Sequence, residues 1–260
     1  MNVLPPGTLL QLMYLGERLR DVPPGSFIEI GPGAGEITQV LLDAGWTGRA
    51  YDLGAETVAA LRERFAREIA EGRFAAVNAD FLQAQPGPPA DLVISCMVME
   101  HLDDAAQARF LRTAASQLSD RGFMISLVPG SPRDWGIEDD IAGHCRRYTR
   151  DGLRQLAADH GWQIRHLAGL TAPVSNLLLP ISNFLVNRSE RQKLALSALE
   201  RTKQSGRRSV RFKTHFPSVL GLLLNRRTML PLHALQKLFS GSERALVLYV
   251  ECIPPREQGA

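Results

Sequence analysis

The segment Phe27-Ile28-Glu29-Ile30-Gly31-Pro32-Gly33-Ala34-Gly35-Glu36 limits what this chain can fold into more than any other ten residues. A buried-strand pattern runs straight into three glycines spaced by one residue. Helix-period positions Ile37, Val40, Leu41 and Ala44 follow, closed by Gly45. These residues favour a strand, a tight turn where backbone can approach a ligand, and a helix whose first amides point at that ligand. Such a strand needs a sheet around it.

The following residues supply the sheet. Arg49-Ala50-Tyr51 predicts a second strand, and Ala55–Ala70 a helix with Val58, Leu61 and Phe65 on one face. Phe74–Val77 reads as a third strand and Asp91–Cys96 as a fourth, apolar after its Asp as a central parallel strand requires. Asp104–Leu118 predicts a helix, Gly122–Val128 a fifth strand, and Thr149 the N-cap of a helix running to His160 and closed by Gly161. Trp162–Ala168 and Arg244–Cys252 complete seven strands. This alternation predicts an α/β fold: a doubly wound, Rossmann-like seven-stranded sheet whose last strand is antiparallel. Residues 169–243 break the alternation and are too long for a structureless loop, so they are expected to form a helical insertion before the last strand. The expected organisation is a helical lead at 1–24, the core at 25–168, the insertion at 169–243, and the final strand and tail at 244–260.

Charge separates these parts. The net charge of +3 over 260 residues conceals 14 Lys+Arg against 5 Asp+Glu in residues 171–260, and 16 against 22 in residues 1–170. The three cysteines, Cys96, Cys145 and Cys252, form no CxxC, which argues against a structural zinc site or disulfide framework and for a reducing compartment. No basic n-region precedes the first apolar stretch, and the greasy runs near Leu177–Val186 and Val219–Leu224 fall short of the ~20 residues of a spanning helix. The expected location is the cytoplasm.

Two acidic residues sharpen the glycine turn. Asp52 ends the second strand, where a carboxylate binds a ribose diol. Asp80, in Val77-Asn78-Ala79-Asp80-Phe81, pairs an acid for an adenine amine with an aromatic ring for stacking. A dinucleotide loop requires Gly at the sixth position. Glu36 stands there and repels a pyrophosphate, which disfavours a nicotinamide oxidoreductase. A phosphate-free ligand with an amine end facing Glu29 suits the loop better, and S-adenosylmethionine has that chemistry.

With these residues the chain resembles the class I S-adenosylmethionine-dependent methyltransferases over residues 25–168 and the terminal strand. The resemblance implies a cofactor site made by Glu29, Gly31, Gly33, Gly35, Asp52, Leu53, Asp80, Phe81 and Cys96. Cys96-Met97-Val98-Met99-Glu100-His101-Leu102 matches the segment beside the methionine part and the reaction centre. Gly143-His144-Cys145-Arg146-Arg147-Tyr148-Thr149 resembles an element of members acting on small molecules, sugars and lipids. Ser95-Cys96-Met97-Val98 lacks the Asn/Asp-Pro-Pro-Tyr pattern of enzymes that methylate planar amino nitrogens. Glu100, His101 and His144 could mimic the metal-binding pattern of small-RNA 2′-O-methyltransferases, but Met97 replaces its first Glu, so no metal is expected.

Methyl transfer needs an aligned acceptor and, for a hydroxyl, a base. His101 and His144 are the candidates, because imidazole titrates near neutrality. His101 equally serves to shape the cofactor pocket and His144 to anchor a loop. Asp139 and Asp140 either orient His144 or are solvated. Trp135, Arg146, Arg147 and Tyr148 are candidate substrate contacts. For the arginines the alternatives are an anionic acceptor or a pairing with the acidic couple. The basic, Leu-rich insertion is either a cap with solvated cations, a grip on an amphiphilic or phosphate-bearing acceptor, or a peripheral contact with an anionic membrane. Nucleic acid fits it poorly, for want of aromatic residues to stack on bases. The expected function is O-methylation of a small-molecule, sugar or lipid-linked acceptor, with homodimerisation open. The rivals are an RNA methyltransferase and a non-catalytic cofactor-binding module.

Overall fold

A computed structural model describes residues 3–85, 87–190, 192 and 217–255. Seven strands, β1 (Ser26–Ile30), β2 (Thr47–Asp52), β3 (Phe74–Asn78), β4 (Ala90–Cys96), β5 (Leu118–Pro129), β6 (Gln163–Leu170) and β7 (Val247–Ile253), form one sheet. Their order is β3-β2-β1-β4-β5-β7-β6, and β7 is antiparallel. The expected doubly wound architecture is therefore present. β1 pairs in parallel with both β2 and β4, so the order of connections reverses beside β1. In open α/β sheets the crevice at such a reversal, outside the carboxyl ends of the strands, is where ligands bind.

The described chain clusters into two compact units. The sheet unit comprises Pro23–Val128, Thr149–Leu167 and Tyr249–Ala260. It carries the helices α2 (Glu36–Asp43), α3 (Ala55–Arg64), α4 (Ala66–Ala70), α5 (Asp104–Gln117) and α7 (Arg150–Asp159). Phe27, Ile28, Leu92, Val93 and Ile94 have no more than 0% exposure, as apolar strands covered on both faces should. Thr149 caps α7 as expected, its hydroxyl accepting from Gly152 N at 2.9 Å.

Three elements differ from the sequence expectation, the least of them β7, which begins at Val247 and not at Arg244. The helix expected over 55–70 breaks at Phe65 (φ −110°, ψ 27°) because that ring turns inward, 1% exposed, edge-on to Phe74 at 5.3 Å. β5 begins at Leu118, earlier than Gly122, and its pairing shifts register between Ala90 and Leu92. Gly122 allows the irregularity: a Cβ there would lie 2.8 Å from Ala90 O.

The helical unit comprises Met1–Val22, Pro129–Tyr148 and Ala168–Leu248. It holds α1 (Pro6–Leu19), α6 (Ile137–Ala142), α8 (Val174–Glu190) and α9 (Leu230–Leu238). α1 packs on α8 and α9, and α6 on α8. Leu9, Leu10 and Met229 are its buried centre, flanked by Met13, Val174 and Leu232. Gln236, fully buried, ties three stretches together. Its Oε1 accepts from Thr171 N at 3.0 Å, and its Nε2 donates to Leu10 O at 3.0 Å and meets His233 Nδ1 at 2.8 Å.

This grouping differs from an N-terminal lead, an unbroken core and a separate insertion. Residues 129–148 cluster with the helices because α6 rides on α8, where Ser182 Oγ donates to Glu138 at 2.5 Å. Of the cationic stretch from Arg188 to Lys213, Arg188 is described and the other cations lie outside the described residues.

Candidate active site

The parallel register brings the expected cofactor residues to one edge of the sheet unit. Ile30 pairs with Tyr51 and Ser95, and Asp52 with Asn78. The positions just beyond these strands, Gly31, Leu53, Asp80 and Cys96, therefore cluster at the carboxyl edge. Gly31, Gly33 and Gly35 have φ of 66°, 55° and 87°, which side-chain-bearing residues rarely adopt. Two of them are also sterically required: a Cβ on Gly31 would fall 2.6 Å from Val98 Cγ2, and one on Gly35 2.6 Å from the Phe65 ring. Gly35 N-caps α2, so free amides of that helix open onto the loop.

Glu29 was expected to face a ligand amine; the structure buries it to 2% exposure and gives it Thr38 Oγ1 as a donor at 2.5 Å. Burial raises its pKa to about 7, which the Thr38 bond opposes and the Glu36 charge reinforces. Glu29 thus braces the strand below the loop against α2. Arg64 Nη1 binds Ala34 O and lies 3.2 Å from Glu36 Oε1, so Glu36 presents less repulsion at the loop than its isolated charge implies.

Asp52 Oδ1 accepts from Gly54 N at 2.7 Å, and its backbone carbonyl accepts from Asn78 Nδ2 at 3.0 Å. Leu53 beside it is 51% exposed. Asp80 caps the short turn Phe81–Gln83, its oxygens accepting from Leu82 N and Gln83 Nε2 at 2.9 and 3.1 Å. A carboxylate offers about four acceptor sites, so acids at these two strand ends suit the hydroxyls and amine of a nucleoside. Phe81 is buried, edge-on to Tyr51 at 5.6 Å and Phe110 at 5.7 Å, and so supports the floor behind Asp80. Burial pushes the Cys96 thiol well above its ordinary range, reinforced by Glu100 and Glu29, which keeps it neutral. His101 ends the turn Met99–His101, its amide donating to Val98 O at 3.1 Å. One edge of the sheet unit thus gathers three glycines and the carboxylates of Asp52 and Asp80.

The helical unit holds the other expected residues. Asp139, 1% exposed, lies at the third position of α6. Its Oδ1 is 2.8 Å from both His144 Nδ1 and Arg147 Nε, and its Oδ2 accepts from Gly136 N at 2.8 Å. Burial works to raise its pKa, but the His144, Arg147 and Gly136 bonds outweigh it and hold the carboxyl at about 2. An ionised Asp139 only accepts, so Nδ1 of His144 carries the proton. Arg147 also donates to Gly130 O at 3.1 Å. Its guanidinium is thus bound within the protein, and the pairing with the acidic couple displaces the anion-binding alternative. Tyr148 is buried, its amide donating to Pro129 O at 2.8 Å. Trp135 is 41% exposed, and its indole donates to Asp140 Oδ1 at 2.9 Å. Cys145 beside Arg146 is exposed.

Sequence reasoning missed Thr38 and Arg64. Nothing in a helix-period pattern marks the hydroxyl that reaches back to Glu29, or the cation that crosses from α3 to the loop.

Comparison with known proteins bears on this cradle. Residues 10–167 match the family described as Methyltransferase domain. The chain belongs to that family, and its fold and loop are those of the class I, S-adenosylmethionine-dependent methyltransferases. It is 28% identical over 162 residues to the phenazine-1-carboxylate N-methyltransferase of Pseudomonas aeruginosa, covering 59% of this chain and 48% of that protein. The chain thus spans about half the length of that curated relative. Its fold is similar to glycopeptide N-methyltransferase MtfA in complex with S-adenosylmethionine, with a TM-score of 0.55 at 14% identity over 94% of this chain and 87% of that one. It is also similar to mitomycin 7-O-methyltransferase MmcR, with a TM-score of 0.51 at 18% identity over 63% and 51% of the two chains. At these identities the likeness concerns fold alone.

Proposed function

We propose that the chain transfers a methyl group from S-adenosylmethionine to a hydroxyl of a small-molecule, sugar or lipid-linked acceptor, with His144 as the base. The bond between His144 and Asp139 carries this reading. It fixes Nδ1 as the protonated nitrogen and leaves Nε2 as the basic one. A neutral amine can attack a methyl before losing a proton, whereas a hydroxyl gains from a base at the moment of attack. A held imidazole therefore favours oxygen.

When bound, the cofactor supplies an electrophilic methyl group on a cationic sulfur. Backbone of the glycine loop admits its amino-acid end, Asp52 takes the ribose hydroxyls, and Asp80 takes the adenine amine. Asp139 stabilises the imidazolium that forms when His144 removes the acceptor proton. His101 shapes the pocket wall, and Trp135 and Arg146 contact the acceptor. Both N- and O-methyltransferases occur among the similar proteins, so the acceptor atom is a point for experiment.

Calorimetry with S-adenosylmethionine tests the cofactor reading, and absence of a binding isotherm at millimolar ligand would overturn it. Transfer of labelled methyl to a panel of phenols, sugars and hydroxylated lipids tests the acceptor. Labelling of amines with no labelling of hydroxyls would refute the oxygen assignment.

A further inference from the structure

Two helices of the helical unit bury polar side chains beside apolar ones and carry a second, outward apolar face: α8 buries Val186 at 0% exposure, and α9 packs Leu232 on the core. On α9 the inward positions are His233 and Gln236, buried in a polar network in which His233 Nε2 meets Glu17 at 2.6 Å. Leu230 and Leu238 stand on the outside at 57% and 82% exposure. On α8 the inward side bonds through Ser182 to Glu138 and through Asn176 to Arg244 O. Leu177, Ile181 and Phe184, at helical spacing i, i+4, i+7, are 76%, 60% and 65% exposed. A helix whose outer face meets only water carries charged and polar residues there and no second apolar stripe. The turn Ser218–Leu222 adds Val219 and Leu222, both more than 60% exposed.

Most charges beside these side chains are cationic. Exposed Arg188 follows the α8 stripe by one turn and Arg226 and Arg227 follow the 218–222 turn, while Lys237 beside Leu238 is paired with Glu17 at 2.8 Å. Residues 171–189 and 217–242 contain no Asp or Glu. An outward apolar stripe edged mainly by cations matches the interface of an anionic bilayer, with acyl chains for the Leu, Ile and Phe and headgroups for the Arg.

We propose that the outward faces of α8, the 218–222 turn and α9 seat this protein on an anionic phospholipid membrane surface. The seating is peripheral, since among the described residues no helix is long and apolar enough to cross a membrane. It does not depend on the methyltransferase reading, and a soluble-cofactor assay failing would leave it intact.

The test is co-sedimentation of the full chain with vesicles of phosphatidylcholine alone, and of phosphatidylcholine with about one-third phosphatidylglycerol. Binding is expected to the mixed vesicles and to fall at roughly 0.5 M salt, where screening is short-ranged. Ile181→Asp and Leu238→Asp should each weaken it about tenfold, the order of one apolar side chain withdrawn from the lipid. Both positions are exposed, so melting temperature and cofactor binding should not move. Equal binding to pure phosphatidylcholine would overturn the proposal, as would no binding to either. A concentration-dependent dimer abolished by Ile181→Asp would instead assign the face to a second copy of this chain.

Discussion

Thr38 donates its hydroxyl to Glu29 at 2.5 Å with both residues buried, tying the strand before the glycine loop to the helix after it. A carboxyl in that position favours its neutral form in the fold. Its ordinary value of 4.5 is raised to about 7, so the folded protein holds a proton there that the unfolded chain has released. Stability from this group is fully present below pH 4.5 and is lost as pH rises to about 7. The limit of the effect is about 3 kcal/mol. Glu29→Gln should be flatter across that window in melting experiments. A parallel pH dependence of wild type and variant would refute it.

Asp139 and His144 should behave as one unit. Asp139→Asn keeps an acceptor for Nδ1 but removes the charge facing the imidazolium, so turnover should fall about a hundredfold with cofactor affinity unchanged. His144→Ala should lose about as much, and the double variant little more than either. Additive losses would separate the two residues. Because Asp139 is held at about 2, its stabilising contribution is present above 3.8 and disappears only as pH falls towards 2. That window does not overlap the one assigned to Glu29.

Gly35 and Gly72 separate backbone strain from packing. Both have left-handed φ, 87° and 71°, but a Cβ at Gly72 meets nothing within 4 Å. Gly72→Ala should cost only the left-handed penalty of about 1 kcal/mol. Gly35→Ala must also displace Phe65 and Leu61, so denaturant titration should show a loss several times larger. Equal losses would mean that the loop yields freely.

Asp52→Asn tests the ribose assignment. Replacing a charged acceptor with a neutral one should weaken S-adenosylmethionine binding by roughly ten- to a hundredfold in calorimetry. An unchanged isotherm would remove Asp52 from the cofactor site.

Much of this was legible in the residues. The glycine loop, Asp52 and Asp80 announced themselves because strand ends and tight turns have narrow chemical requirements. The capping Thr149 did so for the same reason. Other features depended on what lies across space. Phe65 has the right period for a continuous helix, and only the ring of Phe74 and the loop at Gly35 explain its inward turn. Arg147 looked available to a substrate until Asp139 was placed beside it. For the leucines between 220 and 238, periodicity establishes that a stripe exists, but an inward and an outward stripe have the same period. The polar partner of α9 is Glu17, more than two hundred residues earlier, and no local pattern encodes it.

Gln236 holds Leu10 and Thr171 at once, so the packing of α1 is complete only when α9 joins α8 against it. During synthesis its leucines wait for α9, some 220 residues later. At ordinary elongation rates that wait is roughly ten to forty seconds. Until then α1 lacks the cover that α9 gives it.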